Sequence, residues 1–177
     1  MKKIKCIAFD CFGTVFDMSG ISREEIKAYV EHVRKADFTP FHFPQSWWEL
    51  RALPDTHEGI KQLQHDGYLC VALSNGDAGL IWRASKRAGI AWDYVIDLRA
   101  ERVYKPNLDA YRTVEKLIGC KPNETLMVTA NPTFGDIEGA AAIGMHSQVI
   151  RQPGFPQTII ALAEQLRSTT SNEGSRN

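Results

Sequence analysis

The sequence predicts an α/β fold, a doubly wound parallel sheet with helices on both faces. Three observations predict it. Short continuous apolar runs, of the kind that fill strands buried on both sides, recur along the chain. Helical patterns opened by capping signals or closed by glycines lie between them, and the two alternate over most of the length. Strand, crossover helix and parallel strand is the unit such alternation builds.

The elements follow in order. Residues 4–10 form the first apolar run, which ends at the turn Cys11-Phe12-Gly13-Thr14 and reads as a strand. Ser22-Arg23-Glu24-Glu25 is a capping box, and Ile26, Tyr29, Val30 and Val33 then share one face of a helix running to about residue 36. The stretch 38–48 combines two prolines with five aromatics and has no period, so it reads as an irregular lid segment. A helical pattern from Thr56, with Ile60 and Leu63, stops at Asp66-Gly67, and residues 68–73 are a buried strand. Helices at 78–88, 107–118, 136–143 and 157–166, with strands at 94–96, 126–128 and 146–150, complete the alternation. Residues 168–177 are polar and rich in Ser, Asn and Gly, and read as a disordered tail. The expected organisation is a core of residues 1–17 and 56–167, a short cap insertion at 18–55, and that tail.

Composition narrows the function. A chain of 177 residues, 44% hydrophobic, supports one sizeable core and not two ordinary domains. Its 21 basic residues balance 21 acidic ones, which leaves no electrostatic footprint for nucleic acid or an anionic membrane and favours a small-molecule partner. No oligomeric signal stands out. The first apolar run is cut short by Asp10, so it lacks the form of a signal peptide, and no stretch approaches the roughly 20 apolar residues of a membrane span. Cys6, Cys11, Cys70 and Cys120 form no C-x-x-C pair, which fits buried free thiols and a cytoplasmic location. Cys11 adjoins Asp10, yet no His neighbours it in sequence, and packing outweighs a nucleophilic role.

In an open parallel sheet the crevice lies beyond the carboxyl ends of the strands, so the residues just after each apolar run are where chemistry is sought. Asp10 and Thr14 follow the first strand, and Ser74-Asn75-Gly76 follow the second. Thr129-Ala130-Asn131 follow residues 126–128, with Asp136 five positions beyond Asn131, and Lys105 stands in Val103-Tyr104-Lys105-Pro106 ahead of a helix. Each has a plainer reading. Thr14 and Ser74 could bond turn backbone, Lys105 could be a solvated charge, and Asp136 a helix N-terminal acid. Asp17 reads as a turn residue, and His57-Glu58 lacks the second His of a zinc helix. Convergence on one edge lifts Asp10 and Lys105 furthest above those alternatives.

Four motifs, FDCFGTVFD, LSNG, VYKP and TANPTFGDIEGAAAIGM, stand in the order found in the haloacid dehalogenase-like superfamily, and the chain resembles that superfamily along nearly its whole length. The resemblance implies a Rossmann-like core with a short helical cap and an aspartyl-nucleophile hydrolase. It implies Asp10 as nucleophile, Thr14 and Ser74 holding substrate oxygens, Asn75 lining the pocket, and Lys105 orienting and neutralising Asp10. Elementary electrostatics agrees about Lys105. An ion pair at about 4 Å gains ~1 kcal/mol in water and ~4 kcal/mol at an effective dielectric near 20, enough to keep a part-buried carboxylate ionised.

Departures from the family pattern select the subclass. Magnesium phosphatases of this superfamily carry a second Asp where Phe12 stands and an acidic residue where Asn131 stands. With Asp10, Asp136 and Lys105 the formal site charge is −1, a weak lure for a hard dication, so no metal or other cofactor is expected. Magnesium, if bound, would be held by Asp10, the Phe12 carbonyl and Asn131. An aromatic at position 12 and an amide at 131 resemble the 2-haloacid dehalogenases, in which a carboxylate displaces halide from carbon and water hydrolyses the ester. Asp136 would then position or activate the water, with Thr129 and Asn131 supporting Asp10. Dehalogenases use a cap arginine for the substrate carboxylate, and Arg23, Arg34 and Arg51 are the candidates. The cap aromatics Phe41, Phe43, Trp47 and Trp48 are expected to shield the site. The Asn131 to Asp136 spacing is the phosphatase one, and the cap is shorter than a dehalogenase cap. Two alternatives therefore stay open: a magnesium phosphatase of relaxed motif, and a catalytically silent binding domain, suggested by the lost acids and by exposed-looking Trp47 and Trp48.

Overall fold

A computed structural model describes residues 4–174, with side chains as far as residue 169. Five strands form the sheet: β1 (Cys6–Phe9), β2 (Leu69–Ser74), β3 (Tyr94–Asp97), β4 (Thr125–Thr129) and β5 (His146–Val149). All neighbours are parallel and the order is β3-β2-β1-β4-β5, so β1 sits in the middle with its end flanked by those of β2 and β4. That placement follows from the residues. All four β1 side chains are buried, and they alternate between two cores. Ile7 and Phe9 enter a core with Ile60, Leu63, Leu80, Ile81, Ile159 and Leu162, whereas Cys6 and Ala8 enter a second with Tyr111, Val114 and Ala140. A strand without a wet face reads as the unbroken apolar run seen in the sequence.

The helices divide accordingly. The first core is covered by α3 (Thr56–His65), α4 (Ala78–Arg87) and α7 (Ile159–Gly174), and the second by α5 (Leu108–Ile118) and α6 (Asp136–Ala142). The capping box acts as the sequence suggests. Ser22 and Glu25 close a capping box on α1 (Arg23–Arg34), and Asp77 and Asn107 accept the first free amides of α4 and α5. All four cysteines are free and buried.

Residues 18–55 leave and rejoin the core side by side. Asp17 N donates to Arg51 O at 2.8 Å, Leu53 N donates to Val15 O at 2.9 Å, and Phe16 and Ala52 make an antiparallel bridge. Within this segment lie α1 and the four-residue α2 (Gln45–Trp48). The Arg87 guanidinium on α4 then straps the segment down by donating to the Trp48 and Leu50 carbonyls at 2.5 and 2.6 Å.

Two sequence expectations are corrected here. The stretch around Trp47 and Trp48 is not irregular throughout, nor is Trp47 exposed. Its ring packs against Phe12, Tyr29 and Phe43 with centroids 5.2 to 5.3 Å away, and that burial orders the turn. Trp48 is half-buried and donates its indole N–H to Phe43 O. Nor does disorder begin at residue 168, because α7 continues to Gly174, with Ser168 and Thr169 hydroxyls bonding the Glu164 and Gln165 carbonyls. Extending an existing helix gains one hydrogen bond per residue fixed, which a polar composition alone does not oppose. Residues 175–177 of the expected tail lie outside the described residues. No helix among the described residues is long and apolar enough to cross a membrane.

One close approach fixes how α3 and α7 meet. A Cβ on Gly59 would lie 2.7 Å from the Ile159 side chain and 2.9 Å from its backbone carbonyl carbon. Gly59→Ala is expected to cost about 1–3 kcal/mol by forcing the helices apart, read from urea unfolding.

Candidate active site

The first-strand turn is wound around a single carbonyl. Asp10 N donates to Val128 O on β4 at 2.9 Å, and the amides of Thr14, Val15 and Phe16 converge on Cys11 O at 3.3, 2.8 and 2.9 Å. This presents the Asp10 carboxylate at the carboxyl edge of the sheet. Thr14 joins two loops there, its hydroxyl donating to Asp10 Oδ2 at 3.2 Å and accepting from Ala130 N at 2.9 Å.

Lys105 arrives from the loop before α5 and is held by Asn75. Lys105 N donates to Asn75 Oδ1 at 2.7 Å while Asn75 Nδ2 donates to Lys105 O at 2.9 Å, a two-bond clamp between the β2 and pre-α5 loops. The ammonium lies 3.0 Å from Asp10 Oδ1 and 3.0 Å from Asp136 Oδ1. Side-chain exposures of 5%, 14% and 3% for Lys105, Asp10 and Asp136 leave Asp10 as the member of the trio that solvent reaches most. Asp136 opens α6, where an acid also suits the helix dipole, and its Oδ1 accepts from the Tyr111 hydroxyl at 3.1 Å.

Burial pushes the Asp10 carboxyl above the usual carboxylate range, and Lys105 offsets part of that rise. For Lys105, burial pulls the ammonium down, but attraction from Asp10 and Asp136 with the hydrogen bond to Asp136 outweighs it, and the net direction is up. Burial and the Asp136 charge also raise the Tyr111 phenol, which keeps it a donor at neutral pH. Cys11 is fully buried, and burial with the Asp10 charge holds its thiol well above the ordinary value, so it packs as a neutral side chain.

The structure thus brings Asp10, Thr14, Lys105 and Asp136 into direct contact and attaches Asn75 through the Lys105 backbone. Ser74 and Asn131 stand one step away. Ser74 Oγ accepts from Gly76 N at 3.2 Å, Asn131 N donates to Thr129 Oγ1 at 3.1 Å, and Asn131 Nδ2 donates to Phe12 O at 3.1 Å. That last bond bears on metal binding. Of the atoms a magnesium ion would need, the Phe12 carbonyl is taken by an amide N–H, with the amide oriented by that bond, and both carboxylates are gripped by one ammonium. A hard dication, which prefers carboxylate oxygens, would have to compete with the Lys105 ammonium for both of them. Asp17 makes only a local turn with Ser19.

Aromatic rings reach the site through Phe12. Its ring lies over Gly76, where a Cβ would come within 2.6 Å, and only glycine leaves that space. Trp47 and Tyr29 meet Phe12 at 5.2 and 6.3 Å, and Phe41 and Phe43 each meet Tyr29 at 5.1 Å. The Tyr29 hydroxyl donates to Asn75 O. The three cap arginines do not converge here. Arg23, Arg34 and Arg51 are exposed, and Arg51 lines a separate groove with His57 and Arg87.

Sequence reasoning missed Tyr111 as a partner of Asp136. Tyr111 looks like one more apolar position on α5, and only tertiary packing turns its hydroxyl to Asp136. Arg99 stands two residues beyond β3, at the same edge of the sheet.

The sequence and the fold have counterparts among known proteins. A family model for haloacid dehalogenase-like hydrolases matches residues 31–144, and the chain belongs to that family. Among its curated relatives, the (S)-2-haloacid dehalogenase 4A of Burkholderia cepacia is 33% identical over 112 residues, which is 61% of this chain and 47% of that protein. The (S)-2-haloacid dehalogenase of Xanthobacter autotrophicus is 27% identical over 213 aligned positions, covering 94% of this chain and 81% of that one. The chain therefore spans about half the length of the first relative and most of the second. A solved structure of L-2-haloacid dehalogenase from Xanthobacter autotrophicus superposes with a TM-score of 0.71 at 24% identity, over 93% of this chain and 83% of that one. A second structure of it, with chloropropionic acid covalently bound, gives 0.69 at 23% identity over 94% and 84%.

Two stability changes follow from the charges. Because the folded-state value of Asp10 lies above its unfolded one, ionising Asp10 costs the folded state. The cost is absent below the unfolded value and complete above the folded one. Asp10→Asn is expected to raise the melting temperature at neutral pH, with the gain fading below about pH 4, where both forms are uncharged. Lys105→Met leaves two buried carboxylates unpaired and is expected to cost about 3–5 kcal/mol in urea unfolding at neutral pH.

Proposed function

We propose that this chain is a 2-haloacid dehalogenase that works through an aspartyl ester. The carrying observation is the Lys105 ammonium 3.0 Å from Asp10 at a strand end that has no acid at position 12. A carboxylate so paired remains a nucleophile despite burial, and phenylalanine at position 12 suits a leaving group that needs no proton.

A carboxylate oxygen of Asp10 attacks C2 of the substrate. The carbon–halogen bond breaks with its electron pair leaving as halide, and a carbon–oxygen ester bond forms. Water then adds to the Asp10 carbonyl carbon. The ester opens to give a 2-hydroxy acid, Asp10 regains its carboxylate, and one proton passes to solvent. Chloropropionic acid bound covalently in the Xanthobacter structure is an adduct of the kind this first step makes.

Thr14 and Lys105 hold the two oxygens of Asp10 and steady the charge that returns to them in the second step. Asp136 is a positioning residue acting through Lys105, since Lys105 and Tyr111 engage its oxygens. Asn75 fixes the Lys105 backbone, Asn131 and Thr129 fix the neighbouring loop, and Ser74 fixes the turn beneath. The Phe12, Tyr29 and Trp47 rings form an apolar wall that keeps bulk water from the ester. The partner is a small molecule, and no step calls on a metal.

Turnover of 2-chloropropionate and of a phosphate ester, each with and without magnesium, tests the proposal. The expected result is halide release unaffected by chelator and no phosphate release. Asp10→Asn should abolish halide release, and mass spectrometry of trapped enzyme should find the adduct on the peptide containing Asp10. Magnesium-dependent phosphate release, or an adduct elsewhere, overturns it. Tyr111→Phe, which strips a donor from Asp136, should slow turnover about 10- to 100-fold, the loss of about 1.5–3 kcal/mol for a hydrogen bond to a charged group.

A further inference from the structure

The catalytic trio of Asp10, Asp136 and Lys105 carries a net charge of −1, and the Lys105 ammonium is already shared between two carboxylates. An anionic substrate approaching it needs a second cation. The arginines of residues 18–55 do not line the cleft beside Asn75, and Arg151 is held by Asp55 in a two-bond pair at 2.9 and 3.1 Å.

Arg99 differs from all of these. The register Ser74↔Asp97 runs β3 beside β2, so Arg99 emerges at the carboxyl edge near the Asn75-Gly76 turn. It lines a narrow cleft with Tyr29, Thr39, Asn75, Asp77 and Tyr104 whose free volume is about 10 Å³, so a carboxylate enters only as the surrounding side chains move apart. Its Nε is buried and has no hydrogen-bond partner. Its Nη2 lies 3.5 Å from Asp77 Oδ2, an ion pair too long for a strong hydrogen bond. Buried donors are nearly always satisfied, and a planar guanidinium with a free edge matches the two oxygens of a carboxylate. Asn75 connects this cleft to the trio, because its side chain clamps Lys105.

We infer that Arg99 is the anion-recognising residue of this site, binding the carboxylate of a small 2-substituted acid in the cleft beside Asn75. The inference deepens the dehalogenase reading and rests on it for the substrate's identity. It assigns the anion subsite to the core loop after β3 instead of to residues 18–55. Asp77 is the competing partner, so an incoming carboxylate takes the guanidinium edge that Asp77 does not fill.

The test is calorimetry on the full chain with unreactive probes, propionate and its neutral counterpart propionamide, run beside 2-chloropropionate turnover. Wild type should bind propionate more tightly than propionamide. Arg99→Gln should lose at least tenfold in propionate affinity with propionamide unchanged, and Arg99→Lys should fall between. Asp77→Asn keeps an acceptor for Leu80 N and should tighten propionate several-fold. An Arg99 that merely braced Asp77 would shift the melting temperature in Arg99→Gln while leaving the propionate-to-propionamide ratio alone, and that result overturns the inference. So does a wild type that binds neither probe. Propionate binding that depends on Arg99 without haloacid turnover leaves the subsite standing and removes the dehalogenase reading. Turnover with an unchanged KM in Arg99→Gln does the reverse.

Discussion

The Lys105 ammonium is almost sealed from solvent and faces Asp10 and Asp136 at equal distance, and the positions of several loops follow from keeping it there. An ammonium in low dielectric is costly unless opposite charge is close, and two carboxylates without the ammonium would repel each other. The two carboxylates are thus tolerable side by side only with the ammonium between them. Asn75 fixes the backbone that delivers the ammonium, Thr14 ties the first-strand loop to the Ala130 amide, and Tyr111 pins Asp136 from the far side. Loops after β1, β2 and β4 and helices α5 and α6 are fastened to one charged cluster, which makes the carboxyl edge of the sheet its most constrained part.

That constraint also separates rigid from adaptable parts of the site. Asp10 is locked by two donors, whereas the neighbouring Phe12, Tyr29 and Trp47 rings meet edge to face and carry no charge. Aromatic contacts of this kind gain modestly from their geometry and tolerate changes of shape, while the ion cluster tolerates little. The charged cluster is held by electrostatics and its aromatic neighbours by packing.

Much of this was legible in the sequence because it is written locally. Apolar runs without alternation identify the buried strands, and Ser22 with Glu25 marks a helix start that the structure uses. Asp10, Lys105 and Asp136 were found because a parallel sheet gathers whatever follows its strands. What escaped was decided by partners distant in sequence. Trp47 looks like a surface residue until Phe12 and Tyr29 are brought to it. Tyr111 differs from its helical neighbours by one oxygen, and no sequence pattern says that oxygen meets Asp136. Asn131 reads as a weakened metal ligand, yet its amide already occupies the Phe12 carbonyl. Even helix length was misjudged at the C-terminal end, where polar composition concealed a helix continuing to Gly174.

The adjacent pairing of Val15 and Asp17 with Leu53 and Arg51 has an evolutionary side. When a segment leaves and rejoins a domain at neighbouring backbone positions, closing it costs an entropy that grows only slowly with its length. Residues can then be gained or lost between the two points without moving Asp10, which sits upstream of the junction. The Xanthobacter relative aligns over 213 positions, more than this chain possesses, so the two lineages differ by whole inserted stretches while keeping one parallel core. A junction of this form lets the inserted segment change length while the backbone on either side of it keeps its place in the sheet.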